Sequence, residues 1–156
     1  MTESVITQEM EDAIGVESKP ITYSIEKNAI MRFAQAIGDT NPIFSNEEAA
    51  RDTPYKGMVA PPTFLRSIAH VEDTNEPEKT IKSPYSANVD AGSEWEYFEP
   101  IHVGDTITST TYLSKLEEKQ GGKFGNMLIM TRETKYINQN TVIVAFQRTT
   151  GISYQP

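Results

Sequence analysis

Four consecutive β-type segments fill the second half of the chain, and they limit its fold more than any other feature of the sequence. They are rich in Thr, Val, Ile, Tyr and Phe, in short runs of alternating polarity, and they extend over 88–98, 106–117, 123–137 and 141–153. β-branched and aromatic residues favour strands, and joins as short as Gly-Gly or Asn-Gln-Asn favour antiparallel hairpins. An antiparallel sheet is therefore predicted.

Helical patterns are confined to the first half. Apolar residues recur at helical spacing from Ile25 to Ile37, and Ser24 precedes them as a plausible N-cap. The capping-box pair Ser45 and Glu48 predicts a second short helix, and a third helical piece is predicted over 64–69. Helices followed by consecutive strands predict an α+β domain in which one helix covers an antiparallel sheet.

The length favours one domain. A chain of 156 residues with 37% hydrophobic residues can bury a single contiguous core. Residues 1–18 are polar and acidic, so we expect a flexible lead-in there and the folded domain over 19–156. A short β-like segment at Ile21 and Tyr23 opens that domain.

Charge and composition exclude several classes of function. The formal net charge of −8 disfavours binding to nucleic acid and to anionic membrane surfaces. The absence of cysteine excludes disulfides and thiol catalysis, and the two histidines, His70 and His102, are too few and too far apart to predict a metal site. Without the pattern of a secretory signal at the N-terminus, we expect a cytoplasmic protein.

Three motifs stand in a fixed order along the chain. Residues 33–43 read FAQAIGDTNPI, and Pro42 prevents the preceding helix from continuing through the loop. Residues 55–64 read YKGMVAPPTF, and residues 98–107 read FEPIHVGDTI. In this order the motifs resemble those of the MaoC-like hydratases and dehydratases of acyl thioesters. The Ala-Pro-x-Thr-Phe variant that begins at Ala60 resembles the FAS1-like N-terminal dehydratase branch of that family.

This resemblance implies a hot-dog fold, in which an antiparallel sheet wraps around a central helix. It also implies an enoyl or 3-hydroxyacyl substrate carried as a thioester by CoA or an acyl carrier protein, with no other cofactor. Subunits of this family pair sheet to sheet, so a homodimer or a heterodimer with another hot-dog subunit is expected. By position in the motifs, the resemblance makes Asp39 and Asn41 catalytic, and it assigns substrate binding to Phe44, Ala60, Pro61, Pro62 and Thr63.

The chain departs from the family pattern at two places. Phe44 occupies the position of the histidine that exchanges protons with the substrate, and Pro61-Pro62 occupies the position of a His-Gly pair. The amide of that glycine stabilises the charge on the thioester oxygen, and Pro62 has no amide hydrogen. Losing a general acid or base slows catalysis about 10²- to 10⁴-fold, and losing one oxyanion donor about 10²- to 10³-fold. The resemblance therefore implies an impaired or incomplete site.

Two functional readings follow. The chain is either a hydratase or dehydratase component with weakened chemistry of its own, or a non-catalytic subunit that pairs with a catalytic hot-dog partner and shapes the acyl tunnel. The retained Asp39 and Asn41 favour the first, and Phe44 and Pro62 favour the second. The substrate chain length, the carrier and the stereochemistry are not fixed by the sequence.

Plainer structural roles compete with each site residue. Asp39 also suits a turn, Asn41 suits side-chain bonds that hold a loop, and both histidines suit a surface. Lys56 could meet a CoA phosphate or be an ordinary exposed lysine. The aromatic residues Trp95, Tyr97 and Phe98 could line an acyl channel or belong to the core.

Overall fold

The computed structural model describes residues 4–68 and 81–156. Its centre is a five-stranded antiparallel sheet with the spatial order β1-β3-β4-β5-β2. The strands are β1 (Ile21–Ser24), β2 (Ala87–Tyr97), β3 (Thr106–Gly121), β4 (Gly125–Ile137) and β5 (Ile143–Tyr154). The prediction of an antiparallel sheet in the second half of the chain is confirmed.

The described helices are short and lie mostly in the first half. They are α1 (Gln8–Asp12), α2 (Lys27–Ala36), α3 (Glu47–Arg51) and α4 (Phe64–Ile68), with 3₁₀ turns at Pro42–Phe44 and Gly122–Phe124. The predicted α+β class is therefore correct, and three of these helices lie where the sequence indicated them. No helix in the described ranges is long and apolar enough to cross a membrane.

Two predicted helix caps are wrong. Ser24 belongs to β1, where it pairs with Thr106, and Glu26 is the N-cap of α2 without a side-chain cap bond. At α3 the cap is Asn46, whose Oδ1 accepts from the amide of Ala49 at 3.0 Å. Ser and Asn both cap helices well, so neighbouring candidates cannot be separated by residue type alone.

One predicted strand boundary also differs. The sequence predicts that the last strand begins at Thr141, but the φ of this residue is 61° and its amide donates to the carbonyl of Asn138 at 3.0 Å. It is therefore part of the hairpin turn, and β5 begins at Ile143. A φ in the left-handed region is rare for a β-branched residue, so composition favoured a strand here.

The main core lies between the sheet and helices α2 and α4. Ile30 and Ala34 of α2 and Leu65 of α4 are buried together with Tyr136 of β4 and Ala145 of β5. The hydroxyl of Tyr136 donates to Oε1 of Gln147 at 3.0 Å, and Nε2 of Gln147 donates to the hydroxyl of Ser93 at 3.0 Å. Burial raises the pKa of Tyr136, which favours its neutral form.

A second core cluster involves the N-terminal segment. Met10 of α1 is buried against Leu113, Leu128 and Met130 of the sheet. The amide of Gly15 donates to the carbonyl of Leu113 at 2.8 Å, so the segment also follows the edge of β3. The expected lead-in over 1–18 thus contains a helix and a buried side chain that the sequence analysis did not predict, because one methionine in a polar stretch sets no periodicity.

Candidate functional site

The loop that follows α2 carries the first motif. Gly38 has a φ of 72° and its amide donates to the carbonyl of Gln35 at 3.1 Å. The next amide, that of Asp39, donates back to the carbonyl of Ala34 at 2.9 Å. Glycine adopts this left-handed conformation without steric cost, so the helix ends sharply and the chain turns toward Pro42.

The side chains of Asp39 and Asn41 form two successive turns. Oδ1 of Asp39 accepts from the amide of Asn41 at 2.9 Å, and Oδ1 of Asn41 accepts from the amide of Ile43 at 3.1 Å. Both residues are exposed, and Asp39 makes no ion pair within the part of the chain that the structure describes. These contacts match the turn reading of both residues, and their catalytic role stays a prediction.

Phe44 lies at the end of the 3₁₀ turn and is only 6% exposed. Its ring belongs to the main core cluster together with Val59 and Phe64. A phenyl ring cannot transfer a proton, and this one lies in the protein interior. The side chain at the position of the family's histidine therefore contributes packing.

The second motif packs directly against the first. The amide of Val59 donates to the carbonyl of Ile43 at 3.4 Å, and the amide of Ala60 donates to the carbonyl of Ile101 at 2.8 Å. The amide of Phe64 donates to the carbonyl of Pro61 at 2.9 Å, which shapes the turn that enters α4. Pro61 is buried, whereas Pro62 and Thr63 are exposed.

The third motif completes the arrangement. Val59 forms an isolated bridge with His102, and the amide of Val103 donates to the carbonyl of Met58 at 3.1 Å. Val59 thus contacts both the first motif, through Ile43, and the third, through His102. The fold brings together three segments that are separated along the chain.

Tyr97 reaches the second motif from the edge strand β2. Its hydroxyl donates to the carbonyl of Pro62 at 2.6 Å, and burial raises its pKa. The ring stacks on Trp95, with ring centroids 5.8 Å apart, and Trp95 stacks on Tyr136 at 5.7 Å. Tyr97 and Pro62 are 35 positions apart and share no local sequence pattern, so their contact could not have been predicted from the sequence.

Phe98 does not continue this row of rings. It makes a T-shaped contact with Phe146 at 5.8 Å, and it is 47% exposed. Trp95 and Tyr97 thus belong to one stacked row, whereas Phe98 lies apart from it against Phe146.

The described surface includes two open cavities, beside other depressions. One of about 350 Å³ is lined by Glu47, Arg51, Lys56, Gly57, Met58, His102 and Val103. The other, of about 300 Å³, is lined by residues of β2, β4 and β5, Arg132 and Thr149 among them. Asp39 and residues 60–63 line neither of these two, so an acyl tunnel at Asp39 stays a prediction.

No group of three or more His, Cys, Asp or Glu side chains that could hold a metal ion occurs within 4–68 and 81–156. His102 is half-buried, and its Nε2 lies 3.0 Å from the carbonyl oxygen of Tyr55. His70 lies outside the described residues.

Comparison with known proteins identifies a family. The model of the FAS1-like dehydratase domain region matches residues 12–147. A UPF0336 protein of Saccharopolyspora erythraea is 30% identical over 115 residues, which cover 71% of this chain and 72% of that protein. A "Probable enoyl-CoA hydratase alpha subunit" of Thermomonospora curvata is 26% identical over 140 residues, which cover 81% of this chain and 44% of that protein.

Solved structures share the fold. The MaoC-like dehydratase from Rhodospirillum rubrum superposes with a TM-score of 0.71 and 21% identity, covering 94% of this chain and 97% of that one. A chain of the ChsH1-ChsH2 complex from Mycobacterium tuberculosis superposes with a TM-score of 0.79 and 22% identity, covering 90% and 85%. The antiparallel sheet curled over its helices is therefore a hot-dog fold, as the motifs implied.

Proposed function

This chain belongs to the FAS1-like dehydratase branch of the MaoC-like hot-dog proteins, and on that basis we propose that it is a subunit of an acyl-thioester hydratase or dehydratase with an incomplete site of its own. Its substrate would be an enoyl or 3-hydroxyacyl chain on CoA or an acyl carrier protein. Its role would be to pair with a catalytic hot-dog subunit and to shape the acyl tunnel.

The burial of Phe44 is the observation that carries this proposal. The ring is 6% exposed and packs among the residues of the main core. Water addition to an enoyl thioester needs a proton donor and acceptor at the reacting carbons. A ring that is both apolar and buried supports a structural contribution from this position.

The turn at Pro61 and Pro62 adds to the argument. Pro62 supplies no amide hydrogen, and its carbonyl accepts from the hydroxyl of Tyr97 at 2.6 Å. The oxyanion that forms on the thioester needs a donor directed toward it. With neither the histidine nor the glycine amide in the motifs, the partner would supply both.

The edge of the sheet supports pairing with a second subunit. Strand β2 is the outermost strand in the sheet order and is exposed along most of its 11 residues. Val89 and Tyr97 on this strand are 46% and 41% exposed, so the strand offers apolar surface to a partner. Among the similar solved structures, the ChsH1-ChsH2 complex is an assembly of two different chains.

The test is an assay for the loss of enoyl absorbance from crotonyl-CoA or a longer enoyl-CoA. We expect negligible turnover with the purified chain alone. When the chain is combined with a hot-dog protein that keeps the histidine and the glycine, turnover should rise above that of this partner protein alone. Robust turnover by the chain alone, abolished in Asp39→Asn, would overturn the incomplete-site proposal and favour a different catalytic solution.

Asp39→Asn also provides a control within the mixed complex. The side-chain carbonyl of asparagine can accept from the amide of Asn41 as the carboxylate does. If Asp39 only shapes the loop, the mixed complex should retain most of its turnover with Asp39→Asn. Asp39→Ala, which removes the acceptor, should weaken the loop in both the free chain and the complex.

A further inference from the structure

The cavity beside α3 is lined by more positive than negative side chains, whereas the chain as a whole is acidic. Its volume is about 350 Å³, and Arg51 and Lys56 line it together with Glu47 and His102. The chain carries a formal net charge of −8. Two lysine or arginine side chains at one cavity are therefore a local concentration of positive charge on an acidic protein, which favours an anionic ligand.

The one acidic side chain among the lining residues is already paired. Nζ of Lys27 lies 2.8 Å from Oε1 of Glu47, and Nη2 of Arg51 lies 3.9 Å from Oε2. The hydrogen bond from Lys27 lowers the pKa of the Glu47 carboxyl, which is ionised at neutral pH in any case. Lys27, Arg51 and Lys56 together carry three positive charges against the one negative charge of Glu47, so the group keeps a net positive charge that favours an anionic ligand.

Hydrogen bonds fix the walls of this cavity. The amide of Lys56 donates to the carbonyl of Thr53 at 3.0 Å and holds Lys56 at a φ of 59°. Nε2 of His102 lies 3.0 Å from the carbonyl of Tyr55, so the ring donates there and is held in place. The amide of His102 also donates to Oδ2 of Asp105 at 2.7 Å. The backbone around the site is thus held in place, so that chiefly the side chains of Arg51 and Lys56 have to be ordered when a ligand binds.

Apolar side chains complete the lining. Met58 is 4% exposed, and Val103 is half-buried. The cavity thus combines apolar contacts with two cations, a combination that suits a ligand with an organic body and a phosphate ester at its end. Arginine binds phosphate oxygens through paired N–H donors, and lysine adds a point charge.

We propose that the cavity between α3 and the loop at His102 binds a phosphate ester, through Arg51 and Lys56, and that the ester belongs to the carrier of the acyl chain. The second part rests on the proposed function. CoA carries phosphates on its adenosine end, and an acyl carrier protein carries one on its pantetheine arm. Both present the same chemistry to this cavity.

The test is direct binding at low ionic strength, by calorimetry and by amide chemical shifts. The probes are adenosine 3′,5′-bisphosphate, 4′-phosphopantetheine, and adenosine and pantetheine as their phosphate-free counterparts. We expect at least one phosphorylated probe to bind and its counterpart not to bind, with the largest shifts at residues 51–58 and 102–103. Binding should weaken as salt is added, because exposed charges are screened. Binding of adenosine 3′,5′-bisphosphate would identify CoA as the carrier, whereas binding of 4′-phosphopantetheine alone would fit either carrier, because CoA contains the same arm.

Three variants test whether the charged side chains at the cavity determine the affinity for the phosphorylated probe. Arg51→Gln combined with Lys56→Gln should weaken binding about fivefold to thirtyfold, since each exposed charge contact contributes modestly. The matched control, Lys115→Gln with Lys119→Gln, removes the same charge from β3. It should change affinity less than about twofold, because neither residue lines the cavity. Glu47→Gln should tighten binding, an effect that misfolding would not produce.

Two results would overturn the proposal: no binding of either phosphorylated probe, or equal affinity in the cavity double variant and its control. The titration uses neither a thioester nor a partner subunit. A failed hydration assay would therefore leave the phosphate site standing, and a failed titration would leave the proposed function standing.

Discussion

The hydroxyl of Tyr97 lies 2.6 Å from the carbonyl oxygen of Pro62, and this hydrogen bond joins the edge strand β2 to the turn that enters α4. It connects the exposed edge of the sheet with Pro62, which occupies the position of the glycine amide donor in the family motif.

Removing that hydroxyl should loosen the turn. Tyr97→Phe keeps the ring stacked on Trp95 but deletes the bond to Pro62. We expect a loss of about 0.5–1.5 kcal/mol in the free energy of unfolding, measured by urea denaturation. Tyr154→Phe is the matched control, because no hydrogen bond of its hydroxyl is described. Equal effects of the two variants would show that the Pro62 contact contributes nothing.

Phe44 should matter for stability. Phe44→Ala is expected to lower the free energy of unfolding by about 3–5 kcal/mol, as for other large buried aromatic residues. Ile37→Ala, at a site that is 50% exposed, should change it by no more than about 0.5 kcal/mol. A small effect at Phe44 in thermal or urea unfolding would contradict its place in the core.

A substitution at Met10 tests whether the N-terminal segment contributes to the stability of the fold. Because Met10 is 6% exposed among Leu113, Leu128 and Met130, Met10→Ala should cost about 2–5 kcal/mol of unfolding free energy. Val16, which is 62% exposed, provides the control Val16→Ala. If both variants behave alike, the lead-in is as loosely held as its composition suggested.

Alkaline pH should destabilise the fold through Tyr136. Burial raises its pKa above the value of about 10 expected in the unfolded chain. Its contribution is therefore fully present below about pH 10 and is lost as pH rises further, because only the unfolded chain releases the proton readily. The midpoint of urea unfolding should fall from pH 9 to pH 11.

Tyr136→Phe should reduce that pH dependence. It should not abolish it, since the pKa values of Tyr97 and Tyr112 are also raised. An identical pH dependence in wild type and variant would show that Tyr136 does not titrate differently in the two states.

The strands and the order of the motifs could be predicted because each depends on local information. Runs of β-branched and aromatic residues indicate the strands of the second half, and Pro42 keeps α2 from continuing through the loop regardless of tertiary context. The cap at Asn46 and the turn at Thr141 could not be fixed in this way, since neighbouring residues have similar preferences. The burial of Met10 depends on side chains more than 100 positions away.

The same distinction between local and long-range information applies to the candidate site. That Asp39 and Asn41 lie in one loop follows from the sequence, because only Thr40 separates them. The meeting of Val59 with Ile43 and His102, and the contact of Tyr97 with Pro62, depend on how distant segments pack. The cavity around Lys56 likewise needs α3 and the loop at His102 to come together.

The geometry of β2 affects how the chain behaves on its own. An exposed edge strand can pair non-specifically with strands of other chains, which leads to aggregation. Here the register shifts between Asp90 and Gly92, and Asp90, Glu94 and Glu96 place carboxylates along the strand, of which Glu94 meets Arg148. The irregular register and the repulsion between like charges would hinder a second copy of β2 from pairing with this strand. A partner strand of complementary charge would not meet that repulsion.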